Sequence, residues 1–291
     1  MPKARKNKRK LPVTQTGSAS DSTPSGSSSN PSATRTLIRR FHVLLKRKTQ
    51  LQHVLKVGQR SGDVSGSRKE LAEVEKEIEG LGGLAAYQRM SSIGQGNDRG
   101  GGSEKVLVEW LKQLGLPESA RKAKKQYKLL EVGALKSDNY APWNAWINVM
   151  PIDLHSRHPS ILEQDFLLMD EKEHYEKWDI ISLSLVLNFV PDAKDRGRML
   201  LLAHAMLRPD GLLFLALPFP CINNSRYLTA EHLDGLIGVM GFQEIQRRWK
   251  EGGKMAYWLF RKSSVNNRDF ALYEKKVVLR QGDRNNFAVL L

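Results

Sequence analysis

The sequence predicts an α/β domain on a mainly parallel sheet with an antiparallel last strand, preceded by a basic, helical extension. Beyond residue 128, apolar runs of strand length alternate with helical segments, the pattern of a parallel sheet covered on both faces. The charge is lopsided: residues 1–128 hold 26 Lys and Arg against 11 Asp and Glu, net +15, whereas residues 129–291 hold 20 of each. The length of 291 residues, 40% of them hydrophobic, suffices for one sizeable core with extensions. A neutral C-terminal part behind a basic N-terminal part reads as an engine with an anchor suited to a polyanion such as nucleic acid. An anionic membrane surface is the competing partner for such a basic tail.

Lys3, Arg5, Lys6, Lys8, Arg9 and Lys10 open the chain as a like-charged block that repels itself and stays extended. It suits a nuclear address or an RNA-grazing arm, with a merely solvated tail as the plain alternative. No apolar stretch follows it, so it is not a secretory signal peptide. From residue 14 to residue 36, 8 Ser and 5 Thr leave almost nothing to bury, which predicts a disordered tether. Residues 1–36 are therefore read as a disordered basic and Ser/Thr-rich tail.

Residues 37–102 are read as a helical extension and linker. Leu37, Phe41, Leu44, Leu45, Leu51 and Leu55 recur near helical spacing, with Arg39, Arg40, Lys46, Arg47 and Lys48 between them. A second helix, over residues 67–90, is read from Leu71, Val74, Ile78 and Leu81. Its Glu70, Glu73, Glu75, Glu77 and Glu79 give it the opposite charge, so the two suit a hairpin. The glycine-rich stretch 94–102 is a flexible connection rather than a phosphate cradle, because no strand precedes it.

The main domain is assigned to residues 103–265 and a C-terminal extension to 266–291. Ser103 is placed as the cap of an amphipathic helix built on Val106, Leu107, Trp110, Leu111 and Leu114. Strands follow at 129–132, 147–153, 161–166 and 178–187, then a helix at 193–207, a strand at 212–217 and a helix at 229–240. Strands 243–249 and 255–261, joined by Glu251-Gly252-Gly253, form a closing hairpin. The C-terminal extension shows no clear pattern.

No run approaches the roughly 18 apolar residues of a bilayer span, which excludes a membrane-spanning protein. A single cysteine, Cys221, rules out an intrachain disulfide and a Cys-rich zinc site, and points to a reducing compartment. No base partners it in sequence, so it reads as a packed thiol. His155 and His158 lack a third ligand, so no metal is expected.

In an open α/β sheet, ligands sit outside the carboxyl ends of the strands. The first strand ends in Leu130-Glu131-Val132-Gly133, whose glycine lets the backbone approach a ligand. Twenty residues on, Asp153 ends the second strand where a carboxylate accepts hydrogen bonds from ribose hydroxyls. Asp165-Phe166 at the third strand end suits the edge and face of an adenine. A dinucleotide site wants three glycines for its pyrophosphate, and only Gly133 is present. S-adenosylmethionine has an adenosine without phosphates, and its cationic sulfonium welcomes acidic neighbours. Glu131, Gly133, Asp153 and Asp165 therefore favour this methyl donor over NAD.

These residues, over about 104–262, resemble a Rossmann-like class I S-adenosylmethionine-dependent methyltransferase. More narrowly, Leu129-Leu130-Glu131-Val132-Gly133, Ile152-Asp153-Leu154, Gln164-Asp165-Phe166, Leu207-Arg208-Pro209-Asp210-Gly211 and the run from Ser182 through Leu187-Asn188-Phe189-Val190-Pro191 look like the fungal family that methylates N1 of an adenine in 25S ribosomal RNA. The resemblance implies Gly133 and Asp153 as cofactor-binding residues and Asp165 as an adenine contact. It implies ribosomal RNA or a preribosome as partner, without membrane or metal, and a nuclear, nucleolar address. Asn188 is the candidate catalytic residue, holding the base edge, with Phe189 either stacking on the base or structural. Pro218-Phe219-Pro220, Asn223, Asn224 and Arg226 lie on the same rim as candidate RNA contacts. Animal relatives of the family are S-adenosylmethionine sensors, so a non-catalytic sensor acting through protein partners is the alternative. Too few residues separate Gly133 from Ile147 for the usual helix, and Pro142 among Tyr140, Trp143 and Trp146 predicts a loop there.

Overall fold

The computed structural model describes residues 31–58, 65–83, 86, 102–156, 158–264 and 269–291. The basic block 3–10, most of the Ser/Thr-rich tract and most of the glycine-rich linker lie outside the described residues.

Helix α1 (Pro31–Gly58) starts ahead of Leu37, with proline at its first position, where no intrahelical N–H is needed. It pairs with α2 (Ser65–Gly80) as the opposed charges predict. Leu44, Leu51 and Val74 are buried between them, with Leu71, Ile78 and Leu81 packed alongside. Arg40–Glu77 and Arg47–Glu70 at 2.6 Å and Lys48–Glu75 at 2.9 Å bridge the helices. These pairs are exposed, so they set register more than stability. They also consume much of the positive charge read on α1.

Helix α3 (Ser103–Gln113) buries Leu107, Val108, Trp110 and Leu111. The capping assignment is corrected: Gly102 occupies the cap position, and the Ser103 hydroxyl lies 2.7 Å from that of Ser184. Helix α4 (Leu116–Ala123) leads into the sheet.

The seven strands are β1 (Tyr127–Val132), β2 (Ile147–Asp153), β3 (Leu162–Glu163), β4 (Trp178–Ser184), β5 (Leu207–Pro218), β6 (Phe242–Trp249) and β7 (Met255–Lys262). Their order is β3-β2-β1-β4-β5-β7-β6. Strands β1 to β5 run parallel, β7 is antiparallel to β5, and β6 is antiparallel to β7. The closing hairpin thus inserts its second strand between β5 and β6. Burial explains the choice, because Ala256, Trp258, Leu259 and Phe260 of β7 are all buried, whereas β6 is largely half-buried, as an edge strand should be.

Alternation along the strands feeds two cores. Leu130, Val132, Ile181 and Leu183 face α6 (Ala193–Met206) and α8 (Ala230–Met240), while Leu129, Ile180 and Phe214 face α3, with Trp110 edge-on to Phe214. The Asp192 carboxylate accepts from the Lys194 and Asp195 amides to cap α6, and the Thr229 hydroxyl caps α8. Two short helices, α5 (Glu171–His174) and α7 (Pro220–Asn223), complete the connections. Between β1 and β2 runs the predicted loop, with a 3-10 turn at Ala141–Trp143 and Tyr140 and Trp146 buried as core. The last residues also pack as core, with Tyr273, Ala288, Val289 and Leu290 buried.

Candidate functional site

Strand order reverses at β1, which has β2 on one side and β4 on the other, and a crevice opens there at the carboxyl ends. It is a pocket of about 330 Å³ whose wall includes Gly133, Asp153, Gln164, Asp165, Val186, Phe189 and Pro191. Three of the four expected cofactor residues therefore converge.

Gly133 has φ +77°, a conformation costly for any residue with a Cβ. Its N–H and that of Ala134 both donate to the Ile152 carbonyl, at 2.9 and 3.0 Å, turning the chain sharply at the end of β1. A Cβ at this position would stand 2.8 Å from Cγ2 of Val186 on the facing wall. The missing side chain keeps this narrow space open.

Asp153 closes β2, half-buried, and its Oδ1 accepts from the His155 amide at 2.9 Å. Its carbonyl accepts from the Gln164 amide at 2.9 Å, which fixes the next carboxylate beside it. Asp165 does not end a strand as expected. Strand β3 stops at Glu163, and Asp165 caps the 3-10 turn Phe166–Leu168, its Oδ1 accepting from the Leu167 amide at 2.8 Å. A polar residue that can cap its own turn competes with strand extension. Phe166 lines the pocket while only 3% exposed.

Glu131 stands apart from these three. It shares the Leu129 face of β1, turned from the pocket wall, and its Oε1 accepts from Nδ2 of Asn139 at 2.7 Å. At 8% exposure, burial pushes its carboxyl up to about 7 against the lowering effect of the Asn139 hydrogen bond.

The loop after β4 forms the opposite wall through Leu185, Val186, Phe189, Val190 and Pro191, with Leu185 itself at φ +58°. Asn188 is not on that wall. Its Oδ1 is buried with no hydrogen-bond partner among the described residues, a costly arrangement that an incoming donor would relieve.

Sequence reading missed Val186, Gln164 and Arg196. Arg196 is 8% exposed and holds the loop from behind, donating from Nε to the Leu187 carbonyl at 3.1 Å and the Val190 carbonyl at 2.9 Å. Its Nη1 donates to the Ala288 carbonyl at 2.6 Å, and its guanidinium lies 4.3 Å over the Phe287 ring. Burial lowers its pKa to about 10. A signal existed, because Arg196 occupies the same α6 stripe as buried Met199, Leu200 and Ala203.

His155 and His158 are exposed, and no group of three metal-ligating side chains converges among the described residues. Burial pushes the Cys221 thiol up to about 12. No helix among the described residues is long and apolar enough to cross a membrane.

The open cradle at Gly133, with one carboxylate at the end of β2 and another capping the turn after β3, fits an adenosine with a cationic appendage, and no phosphate-binding loop is required. The family described as 25S rRNA (adenine(2142)-N(1))-methyltransferase, Bmt2, matches residues 72–289. A Schizosaccharomyces pombe protein named 25S rRNA adenine-N(1) methyltransferase is 36% identical over 258 residues, covering 87% of this chain and 89% of that protein. The Saccharomyces cerevisiae 25S rRNA (adenine(2142)-N(1))-methyltransferase is 31% identical over 257 residues, covering 87% and 71%. Among solved structures, Burkholderia thailandensis 1,6-didemethyltoxoflavin-N1-methyltransferase, with bound 1,6-didemethyltoxoflavin and S-adenosylhomocysteine, aligns with 50% of this chain and 75% of that one at 17% identity and a TM-score of 0.39. The extent of the family match and of both fungal alignments shows that this chain belongs to the 25S rRNA (adenine(2142)-N(1))-methyltransferase family.

Proposed function

We propose that this chain transfers the methyl group of S-adenosylmethionine to N1 of an adenine in 25S ribosomal RNA. The observation that carries the reading is the pocket in which Gly133, Asp153 and Asp165 meet at the switch point of a sheet belonging to this family. Asp153 accepts from the ribose hydroxyls and Asp165 takes the adenine edge of the cofactor. Glu131, off the pocket wall, acts through the Asn139 loop it holds.

The bound cofactor supplies a methyl group already activated on a sulfonium. Adenine N1 has an in-plane lone pair, so methylation needs no prior deprotonation and no general base. What remains for the protein is to position the base and exclude water. The apolar wall of Val186, Val190 and Pro191 excludes water and Phe189 stacks on the base, while Asn188, beside Phe189 but off the wall with its Oδ1 buried and unpartnered among the described residues, turns toward the pocket to accept from the adenine N6 amine. The proposal extends to a nucleolar address and to a preribosome as substrate, supported by the basic N-terminal block.

The test is methyl transfer from labelled S-adenosylmethionine to 25S ribosomal RNA by the purified full-length chain, with digestion to nucleosides. Label in 1-methyladenosine, retained on wild type and lost in Asn188→Ala with cofactor binding intact, is expected. Label in another nucleoside, or full activity without Asn188, contradicts the reading.

A further inference from the structure

The C-terminal extension has an unusual construction. Its two ends are core, with Tyr273 on one side and Ala288, Val289 and Leu290 on the other buried. Between them, residues 274–279 and 281–283 are exposed, including Lys275 and Lys276 and the apolar Val277, Val278 and Leu279. The stretch is nonetheless fixed in place. The amides of Leu279 and Arg280 donate to the Arg226 carbonyl at 2.9 and 3.3 Å, and Arg280 donates from its guanidinium to the carbonyls of Ile222 and Asn223. Arg226 in turn donates to Asn286 Oδ1 at 2.9 Å and the Gly282 carbonyl at 3.1 Å. Arg284 donates to the Gln281 carbonyl at 2.8 Å.

Every one of these acceptors is neutral. Among the described residues, none of Arg226, Lys275, Lys276, Arg280 and Arg284 forms an ion pair within 4 Å, although Glu274 and Asp283 lie in the same stretch and, besides a backbone hydrogen bond, Arg280 helps through space to hold the Glu231 carboxyl below its usual range. Elsewhere in the domain Arg208, Arg247, Arg248 and Lys262 meet Asp179, Asp234, Glu109 and Glu176, while Arg198 stands singly on a carbonyl, that of Leu167, rather than in a cluster. In a half of the chain with no net charge, this is a local surplus built on a fixed backbone.

The ridge is also tied to the pocket. Helix α7, which Arg280 holds by its carbonyls, begins at the carboxyl end of β5. Asn285 Nδ2 donates to the Pro220 carbonyl at 2.7 Å, and Ser225 Oγ donates to the Phe287 carbonyl at 2.5 Å. Phe287 and Ala288 are the groups that Arg196 grips while it holds the Leu187–Pro191 loop on its other side.

We infer that Arg226 and the ridge 275–284 carry the phosphodiester backbone of the substrate RNA toward the pocket, so that the C-terminal extension is the RNA-gripping rim of the active site. The inference rests on the methyl-transfer reading. Guanidiniums committed to carbonyls keep their charge and a fixed position, which suits a repeating anion whose contacts set register rather than sequence. Lys275 and the Lys276 amine, which lies 5.6 Å over the Tyr227 ring, extend the charge outward.

The experiment compares full-length wild type with a Lys275→Gln, Lys276→Gln double variant, two exposed positions that leave the anchoring arginines intact. RNA affinity is measured across a salt series, alongside KM for RNA, kcat and cofactor affinity. A salt slope lower by about 2, one per lysine, is expected, with a raised KM and unchanged kcat and cofactor affinity. An active wild type matched by the variant in slope and KM overturns the ridge and leaves the methyl-transfer reading standing. A wild type whose RNA binding loses its salt slope in the variant but which transfers no methyl supports the ridge and removes the enzymatic reading. Unchanged RNA binding with weakened capture of a ribosomal protein overturns the ridge in favour of a protein-docking surface.

Discussion

Replacing Gly133 by alanine separates two costs that the structure assigns to one position. At φ +77° a residue with a Cβ is held in the left-handed region, at a cost of roughly 1–2 kcal/mol to the fold. The new Cβ would also stand 2.8 Å from Val186 Cγ2, about 0.7 Å inside the separation at which carbon atoms rest. Val186 is half-buried and on the pocket wall, so it yields and the pocket narrows. Overpacking of this kind costs about 1–3 kcal/mol, and every 1.4 kcal/mol carried into binding is a tenfold loss of affinity. The assay is a double-mutant cycle of Gly133→Ala and Val186→Ala, read by thermal melting and by calorimetric titration with S-adenosylmethionine. Gly133→Ala should melt lower by several degrees and bind about tenfold or more weakly. Adding Val186→Ala should restore most of the affinity but not the melting temperature, because it removes the clash and leaves the backbone strain. Wild-type affinity in the single variant, or no recovery in the double, refutes the argument.

Three further outcomes follow from other residues. The Glu131 carboxyl, near 7 in the fold against an ordinary 4.5, makes a contribution present below about pH 4.5 and lost as pH rises through about 7, worth roughly 3 kcal/mol at the full difference. Glu131→Gln should therefore gain stability relative to wild type between pH 5 and pH 8, and parallel pH profiles would contradict this. Cys221, with its thiol pushed up to about 12, should resist alkylation in the native protein at pH 8 and react only on unfolding; rapid stoichiometric labelling would show it exposed as thiolate. A Cβ at Gly197 would fall 1.8 Å from the Leu290 carbonyl oxygen, so Gly197→Ala should expel the chain end and open it to carboxypeptidase, whereas unchanged resistance would mean the contact is not as described.

Much of this was legible in the chain. Alternating apolar runs marked every sheet strand, and opposed charges on α1 and α2 announced their pairing. Gly133 and Asp153 could be placed on the pocket wall because ligands of an open α/β sheet sit outside the carboxyl ends of its strands. The misses have physical causes. Apolar content at Ile161 and Phe166 suggested a long third strand, but Leu162 and Glu163 are exposed and Asp165 turns the chain by capping. Ser103 looked like a cap and instead meets Ser184 across 81 positions, a partner no local pattern reveals. Glu131 was read with Gly133, Asp153 and Asp165 as an acidic neighbour of the sulfonium; in the fold it shares the Leu129 face of β1, while Val132 and the Gly133 turn, which leaves the strand at φ +77°, line the pocket. The C-terminal extension lacked periodicity because side-chain and carbonyl contacts to Arg196, Ser225 and Arg226 hold it, rather than a helix or strand ladder.

The central claim is that the pocket around Asp153 serves methyl transfer to large-subunit ribosomal RNA. The most direct measurement is primer-extension mapping and nucleoside mass spectrometry of that RNA from cells with wild-type protein, none, or Asp153→Ala at equal abundance. The account predicts one 1-methyladenosine present with wild type and missing from both other strains. A modification that persists without the protein, or that Asp153→Ala sustains in full, would contradict it.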